Sequence, residues 1–67
     1  MISYVIPVNN EEESIEAFYA ELIKVIPELS DKYEIIFVDD GSSDATLSLL
    51  KTIAEHDKSV RVFSFRR

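Results

Sequence analysis

Two adjacent carboxylates, Asp39 and Asp40, followed by Gly41 and Ser42, stand directly behind the apolar run Tyr33-Glu34-Ile35-Ile36-Phe37-Val38. Like charges this close are costly unless something compensates them: a cation, the N–H and O–H donors of a ligand, or the N–H groups of a helix. The run itself is continuous, β-rich and bounded by turn residues, which predicts a buried strand. In open α/β sheets, ligands bind just past the carboxyl ends of such strands. A second loop, Pro7-Val8-Asn9-Asn10-Glu11, closes an earlier apolar run in the same way. The two loops therefore predict an acidic, amide-rich rim at one end of a sheet. The chain holds a single glycine, Gly41, so the glycine-rich cradles of dinucleotide and P-loop sites are absent. Such a rim prefers donor groups, for example a nucleobase imide N–H and ribose hydroxyls. Phosphates approach it only with a divalent cation that takes oxygen ligands.

The elements that must position these loops alternate. The first strand is Ile2 to Val8, with Pro7 at its end or on an edge, since Pro has no N–H to give a ladder. Asn10 is a candidate N-cap for the following helix, and Glu13 completes a variant capping box. Glu11, Glu12 and Glu13 then fall in the first turn, where the helix dipole favours negative charge. Ile15, Phe18, Leu22, Val25 and Leu29 recur at spacings of three and four and predict the buried face. Pro27 is expected to end or kink this helix, and Ser30-Asp31-Lys32 to form a loop. The second strand is Tyr33 to Val38. After the Asp39–Asp44 turn, a second helix is expected from about Ala45 to His56, capped by Asp44 or Ser43. Leu47, Leu50, Ile53 and Ala54 form its inner face. His56 sits where a helix C-terminus favours a cation, with nothing nearby to form a triad. Asp57-Lys58-Ser59 is a turn, and Val60 to Phe65 the third strand.

The order βαβαβ predicts a parallel sheet with strand order 3-2-1. Both helices then lie on one face. Yet the first two strands are apolar on both faces, as strands covered on two sides are. One face and the free edge of the first strand are left uncovered. The expectation is an incomplete sheet, the first half of a larger three-layer, Rossmann-like α/β domain that residues 1–67 interrupt after strand three.

Composition narrows the partners. The 67 residues allow one small unit, and 46% hydrophobic content marks a globular chain. A net charge of −6 argues against nucleic acid as a partner, because phosphate backbones need clustered Lys and Arg. Arg61, Arg66 and Arg67 make only a small basic cluster. There is no cysteine for a disulfide or a thiolate metal site. No apolar stretch approaches the roughly 18–20 residues of a membrane span, and Met1-Ile2-Ser3-Tyr4 lacks the basic region of a signal peptide.

Val5-Ile6-Pro7-Val8-Asn9-Asn10-Glu11-Glu12-Glu13, followed by Ile36-Phe37-Val38-Asp39-Asp40-Gly41-Ser42-Ser43-Asp44-Ala45-Thr46, resembles the start of a family 2 glycosyltransferase. Within that family the pattern is most similar to the dolichyl- or polyprenyl-phosphate sugar transferases. The resemblance covers essentially the whole chain. It implies the N-terminal half of a GT-A fold, binding a UDP- or GDP-sugar for transfer to an acceptor such as polyprenyl phosphate, a step of cell envelope polysaccharide biosynthesis. It implies that Pro7, Val8, Asn9 and Glu11 wrap the nucleoside and that Asp40 or Asp39 hydrogen-bonds the base. Asn9 departs from the family, which commonly has an aromatic residue there. The family's Asp-X-Asp metal motif and catalytic base lie further along, so these residues alone are not expected to catalyse. The intact enzyme is expected to use Mg²⁺ or Mn²⁺, none of it bound by this segment alone. A cytoplasmic location, with any membrane association through regions beyond residue 67, completes the expectation.

Two other readings stay open on the residues. Val38-Asp39-Asp40 superficially matches the acidic pair of a signalling receiver module, although there the pair follows the first strand and here the second. A stand-alone α/β interaction module is the other, and an open strand edge predicts self-association.

Overall fold

In the computed structural model the described residues are 1–29 and 31–65. Ser30, Arg66 and Arg67 lie outside them, so the expectations for the Ser30–Lys32 loop at its first residue and for the terminal arginines do too. The elements run β1 (Ile2–Val8), α1 (Ile15–Leu29), β2 (Tyr33–Asp40), α2 (Thr46–His56) and β3 (Val60–Phe65). The sheet order is β1-β2-β3 with every pairing parallel, which is the predicted 3-2-1 arrangement. Pro7 falls next to the end of edge strand β1, where its missing N–H is tolerated.

Alternation along the strands sorts the two faces. Register places Tyr4 beside Ile35, Ile6 beside Phe37 and Val8 beside Asp39, with Val60 and Val62 continuing the first two rows. These sheet residues share one core cluster with Ile15 and Ile26 of α1 and Leu50 of α2. Both helices therefore lie on the same face, and the described residues form two layers. Ile35, Phe37 and Leu50 are wholly buried at its centre. The opposite face carries Val5, Ile36, Val38, Phe63 and Phe65, and Val5, Phe63 and Phe65 are exposed. Towards its amino end this face turns polar: Ser3 donates to Glu34 at 2.7 Å, and Arg61 pairs with Glu34 at 3.5 Å.

Several boundaries differ from those predicted. β2 continues two residues beyond Val38, because Asp39 and Asp40 still pair with Ser64 and Phe65 of β3. α1 begins at Ile15, and Glu11–Ser14 form a turn before it, with the N–H groups of Ser14 and Ile15 both donating to the Glu11 carbonyl. Asn10 is not its N-cap: at φ 51° it occupies the left-handed region, whereas an N-cap residue is extended. The inward stripe of α1 is Ile15, Tyr19, Leu22 and Ile26. Phe18, Val25 and Leu29 are exposed, so the expected core position of Phe18 is corrected. Both stripes have helical spacing, and the sheet covers only one of them. Pro27 neither stops the helix at once nor lies deep inside it; α1 ends two residues later at Leu29. In α2, Leu49 packs on the core cluster together with Leu50, Ile53 and Ala54, while Leu47 stays outside it, half-buried.

One polar contact ties the helix layer together. The Tyr19 hydroxyl donates to Asp57, whose carboxyl also takes the Ser59 N–H at 3.0 Å and the Ser59 hydroxyl at 2.6 Å. Burial, with the Asp57 hydrogen bond behind it, pushes the Tyr19 phenol up to about 12. Burial alone would raise the Asp57 carboxyl, but its hydrogen bonds from Ser59 and Tyr19 outweigh that and hold it below the usual value. Among the described residues no helix is long and apolar enough to cross a membrane.

Candidate nucleotide-binding edge

The parallel pairing of β1 and β2 brings their carboxyl ends side by side, with Val8 opposite Asp39. The β1–α1 and β2–α2 loops are consequently neighbours, as the sequence predicted, and they are joined by a series of hydrogen bonds. The Asn9 side-chain amide donates to the Asp40 carbonyl. The Asn10 N–H donates to Ser42 Oγ at 2.9 Å, and the Ser43 N–H donates to Asn10 Oδ1 at 2.8 Å. The Glu11 N–H donates to Thr46 Oγ1 at 2.7 Å, and the Glu12 N–H to Asp44 Oδ2 at 3.3 Å. The left-handed conformation of Asn10, tolerated by Asn better than by most residues, turns its side chain onto the second loop instead of along α1.

The two aspartates are separated by the pleat. Asp39 is only 2% exposed, and its carboxyl accepts the Ser42 hydroxyl and, at 3.3 Å, the Ser42 N–H. It closes the turn after β2 from inside. Asp40, one residue on, is exposed. Gly41 follows at φ 65°. A Cβ there would meet nothing closer than the Phe65 carbonyl at 3.4 Å, so the left-handed backbone, not crowding, calls for glycine. Asp44 accepts the Thr46 N–H at 2.9 Å and the Thr46 hydroxyl, satisfying a donor at the start of α2. The N-cap position itself is Ala45, which makes no side-chain cap bond, so neither Asp44 nor Ser43 occupies it; Asp44 meets the Thr46 N–H from one residue before, and Ser43 is bonded to Asn10. The Thr46 hydroxyl is the main reason the Asp44 carboxyl lies below its usual range, and the N–H groups of Thr46 and Glu12 add to it.

Beside these loops lies a cleft of about 320 Å³ lined by Ile6, Pro7, Val8, Glu11, Ser14, Ile15 and Phe18. Of the residues predicted to meet a ligand, Pro7, Val8 and Glu11 share this cleft. Asn9, Asp39 and Asp40 are not among its lining residues; the Asn9 amide meets the Asp40 carbonyl, and Asp39 is turned onto Ser42. Sequence reasoning assigned no role to Ser42 or Thr46, and none to Asn10 beyond a cap. Thr46 carried a usable signal, a hydroxyl on the same helical stripe as Leu50 and Ile53, where an apolar residue is the default. The His56 ring Nδ1 is bonded to the Thr52 carbonyl of its own helix, at 2.9 Å. Among the described residues no group of three or more His, Asp or Glu side chains is placed to hold a metal ion.

Comparison with known proteins gives this arrangement a family. The chain is 46% identical over 67 residues to a prophage bactoprenol glucosyl transferase homolog of Escherichia coli, covering 98% of this chain and 22% of that protein. It is 38% identical over 66 residues to an uncharacterized glycosyltransferase of Synechocystis, covering 98% of this chain and 21% of the relative. An undecaprenyl-phosphate 4-deoxy-4-formamido-L-arabinose transferase of Proteus mirabilis is 47% identical over 53 residues, covering 79% of this chain and 16% of the relative. The chain thus spans about a fifth of the length of the first two of these relatives and about a sixth of the third. The receiver-like reading is left without a supporting observation. Residues 3–67 match the family described as glycosyl transferase family 2, and the chain belongs to that family.

Proposed function

We propose that this chain forms the nucleoside-binding edge of a GT-A glycosyltransferase that moves a sugar from a UDP- or GDP-sugar to polyprenyl phosphate. The observation that carries the reading is the joined pair of strand-end loops, which brings exposed Asp40, through its carbonyl and the Asn9 amide, to the same end of the sheet as Pro7, Val8 and Glu11. Ligands of open parallel sheets bind at this place. The exposed Asp40 carboxylate would accept an imide N–H of the base or a ribose hydroxyl. The names of the E. coli and P. mirabilis relatives, bactoprenol and undecaprenyl-phosphate transferases, support a lipid-phosphate acceptor. The divalent cation implied by the resemblance, Mg²⁺ or Mn²⁺, finds no fitting ligand set among the described residues. Its ligands and the catalytic base would come from elsewhere in the enzyme. Transfer would take place in the cytoplasm, where nucleotide-sugars are made, with membrane association supplied beyond residue 67.

Calorimetric titration of the full-length protein with UDP and GDP tests this. One of the two nucleotides should bind, and Asp40→Ala should weaken it about 5- to 150-fold, the equivalent of about 1–3 kcal/mol for an unmet polar partner. Equal affinity in wild type and Asp40→Ala would remove Asp40 from the base contact, and no binding of either nucleotide would remove the reading.

The 67-residue chain by itself should also self-associate with a second copy through its open sheet face. Among the described residues nine large apolar side chains are exposed against seven that are buried, and Val5, Phe63 and Phe65 cluster on that one face. Sedimentation velocity over a concentration series reads the outcome directly. A single monomeric species up to the solubility limit would contradict it.

A further inference from the structure

Thr46 is wholly buried at the first position of α2, and its own N–H is already taken by the Asp44 carboxyl. The hydroxyl instead looks across to the other loop. A threonine hydroxyl has one proton to give and lone pairs to accept with. Here the proton goes to Asp44 Oδ1, and a lone pair takes the Glu11 N–H at 2.7 Å. The same carboxyl holds the Glu12 N–H through its second oxygen, at 3.3 Å. Two successive amides of the β1–α1 loop are thus anchored to the start of α2, one through Thr46 and one through Asp44. No buried side-chain polar atom among the described residues lacks a partner, so this chain is closed.

The consequence concerns geometry between loops. Glu11 belongs to one loop and Asp40 to the strand end leading into the other. Nothing in the covalent chain fixes their separation, because α1 intervenes. The Asn9 and Asn10 bonds hold the tips of the loops together. The Thr46 bond is part-buried where those are exposed, and a hydrogen bond is stronger where the local dielectric is lower. We infer that Thr46 is a positioning residue of the nucleotide-binding edge, its buried hydroxyl fixing where Glu11 stands relative to Asp40. The inference rests on the nucleotide reading above for its functional half and on the hydrogen-bond chain for its structural half.

Thr46→Val keeps the side-chain shape and removes the hydroxyl, while Thr46→Ser keeps the hydroxyl. In the full-length protein, Thr46→Val should weaken UDP or GDP binding about tenfold, and Thr46→Ser should restore it. The discriminating readout is a double-mutant cycle with Glu11→Ala. If Thr46 acts through Glu11, Thr46→Val has little further effect on affinity once Glu11 is alanine, whereas a merely structural role gives additive losses. Amide hydrogen exchange over residues 9–13 is read alongside, and should be faster in Thr46→Val but not in Thr46→Ser. Additive losses, or unchanged affinity and exchange in a folded Thr46→Val protein, would overturn the inference. Wild type that binds neither nucleotide would sink the nucleotide reading, and the exchange comparison would then decide alone whether Thr46 holds the loop. Should Thr46→Val fail to fold, Thr46→Cys, with only a weak acceptor in similar volume, is read by the same criteria.

Discussion

Phe37→Ala should abolish cooperative thermal unfolding of the 67-residue chain at room temperature and above. Phe37 is wholly buried in the middle of the central strand, flanked in register by Ile6 and Val62 and covered by the helix layer. Truncating a buried phenylalanine costs about 3–5 kcal/mol, part from lost transfer of apolar surface and part from the cavity left behind. Stabilities run at roughly 0.05–0.15 kcal/mol per residue, so a chain this short has a total of the same size to lose. The neighbouring residue supplies the control. Ile36 points to the open face and is only half-buried, so Ile36→Ala should cost far less and leave a measurable transition. A circular-dichroism melt of both variants tests the contrast. A Phe37→Ala chain that melts cooperatively within a few degrees of wild type would show that the core is not organised around β2. The melts are compared at the lowest workable concentration, where the chain is monomeric; equal losses in the two variants there would show that the two faces of β2 are covered alike.

The sequence made this layered arrangement legible because strand and helix periods differ. Continuous apolar runs at Ile2–Val8 and Ile35–Val38, separated by a helical pattern, leave little choice but parallel strands with helices across them. Even the uncovered face was visible, since Val5, Ile36 and Val38 are apolar where a solvent-facing strand would alternate. What stayed illegible has a physical cause in each case. Phe18, Val25 and Leu29 have as good a helical spacing as Tyr19 and Ile26, and only the position of the sheet decides between the stripes. The start of α1 was misplaced because local rules prize Asn10 as a cap, while tertiary bonds to Ser42 and Ser43 draw it into the left-handed region. For the site, adjacency of the two loops followed from parallel pairing. The division of labour between Asp39 and Asp40 did not, because it depends on β2 running two residues further than Val38 and so burying Asp39 on the pleat.

That division leads to the second large effect. Asp39→Ala should destabilise the chain by about 2–3 kcal/mol, the upper part of the range for orphaned buried polar groups, and lower its melting temperature by roughly 10–20 °C. The Asp39 carboxyl accepts both the hydroxyl and the N–H of Ser42. Ser42 Oγ in turn accepts the Asn10 N–H at 2.9 Å, so its orientation is shared between the two loops. Without Asp39 the Ser42 hydroxyl loses its acceptor and is free to rotate away from Asn10, and the Ser42 N–H is left half-buried without a partner. The loss should therefore appear in both loops, as faster amide exchange at Asn10 as well as at Ser42. Asp39→Asn is the informative companion. Ser42 uses both carboxylate oxygens, Oδ2 for its N–H and Oδ1 for its hydroxyl, and the single amide oxygen can replace only one of them while the adjacent negative charge disappears, so only part of the stability should return. Asp40 gives the opposite pattern, because it is exposed: Asp40→Asn should change melting little while impairing the proposed nucleotide contact. If Asp39→Asn were as damaging to nucleotide affinity as Asp40→Asn, and Asp39→Ala melted like wild type, Asp39 would be the ligand-facing carboxylate. The buried turn-closing role derived from its contacts with Ser42 would then be wrong.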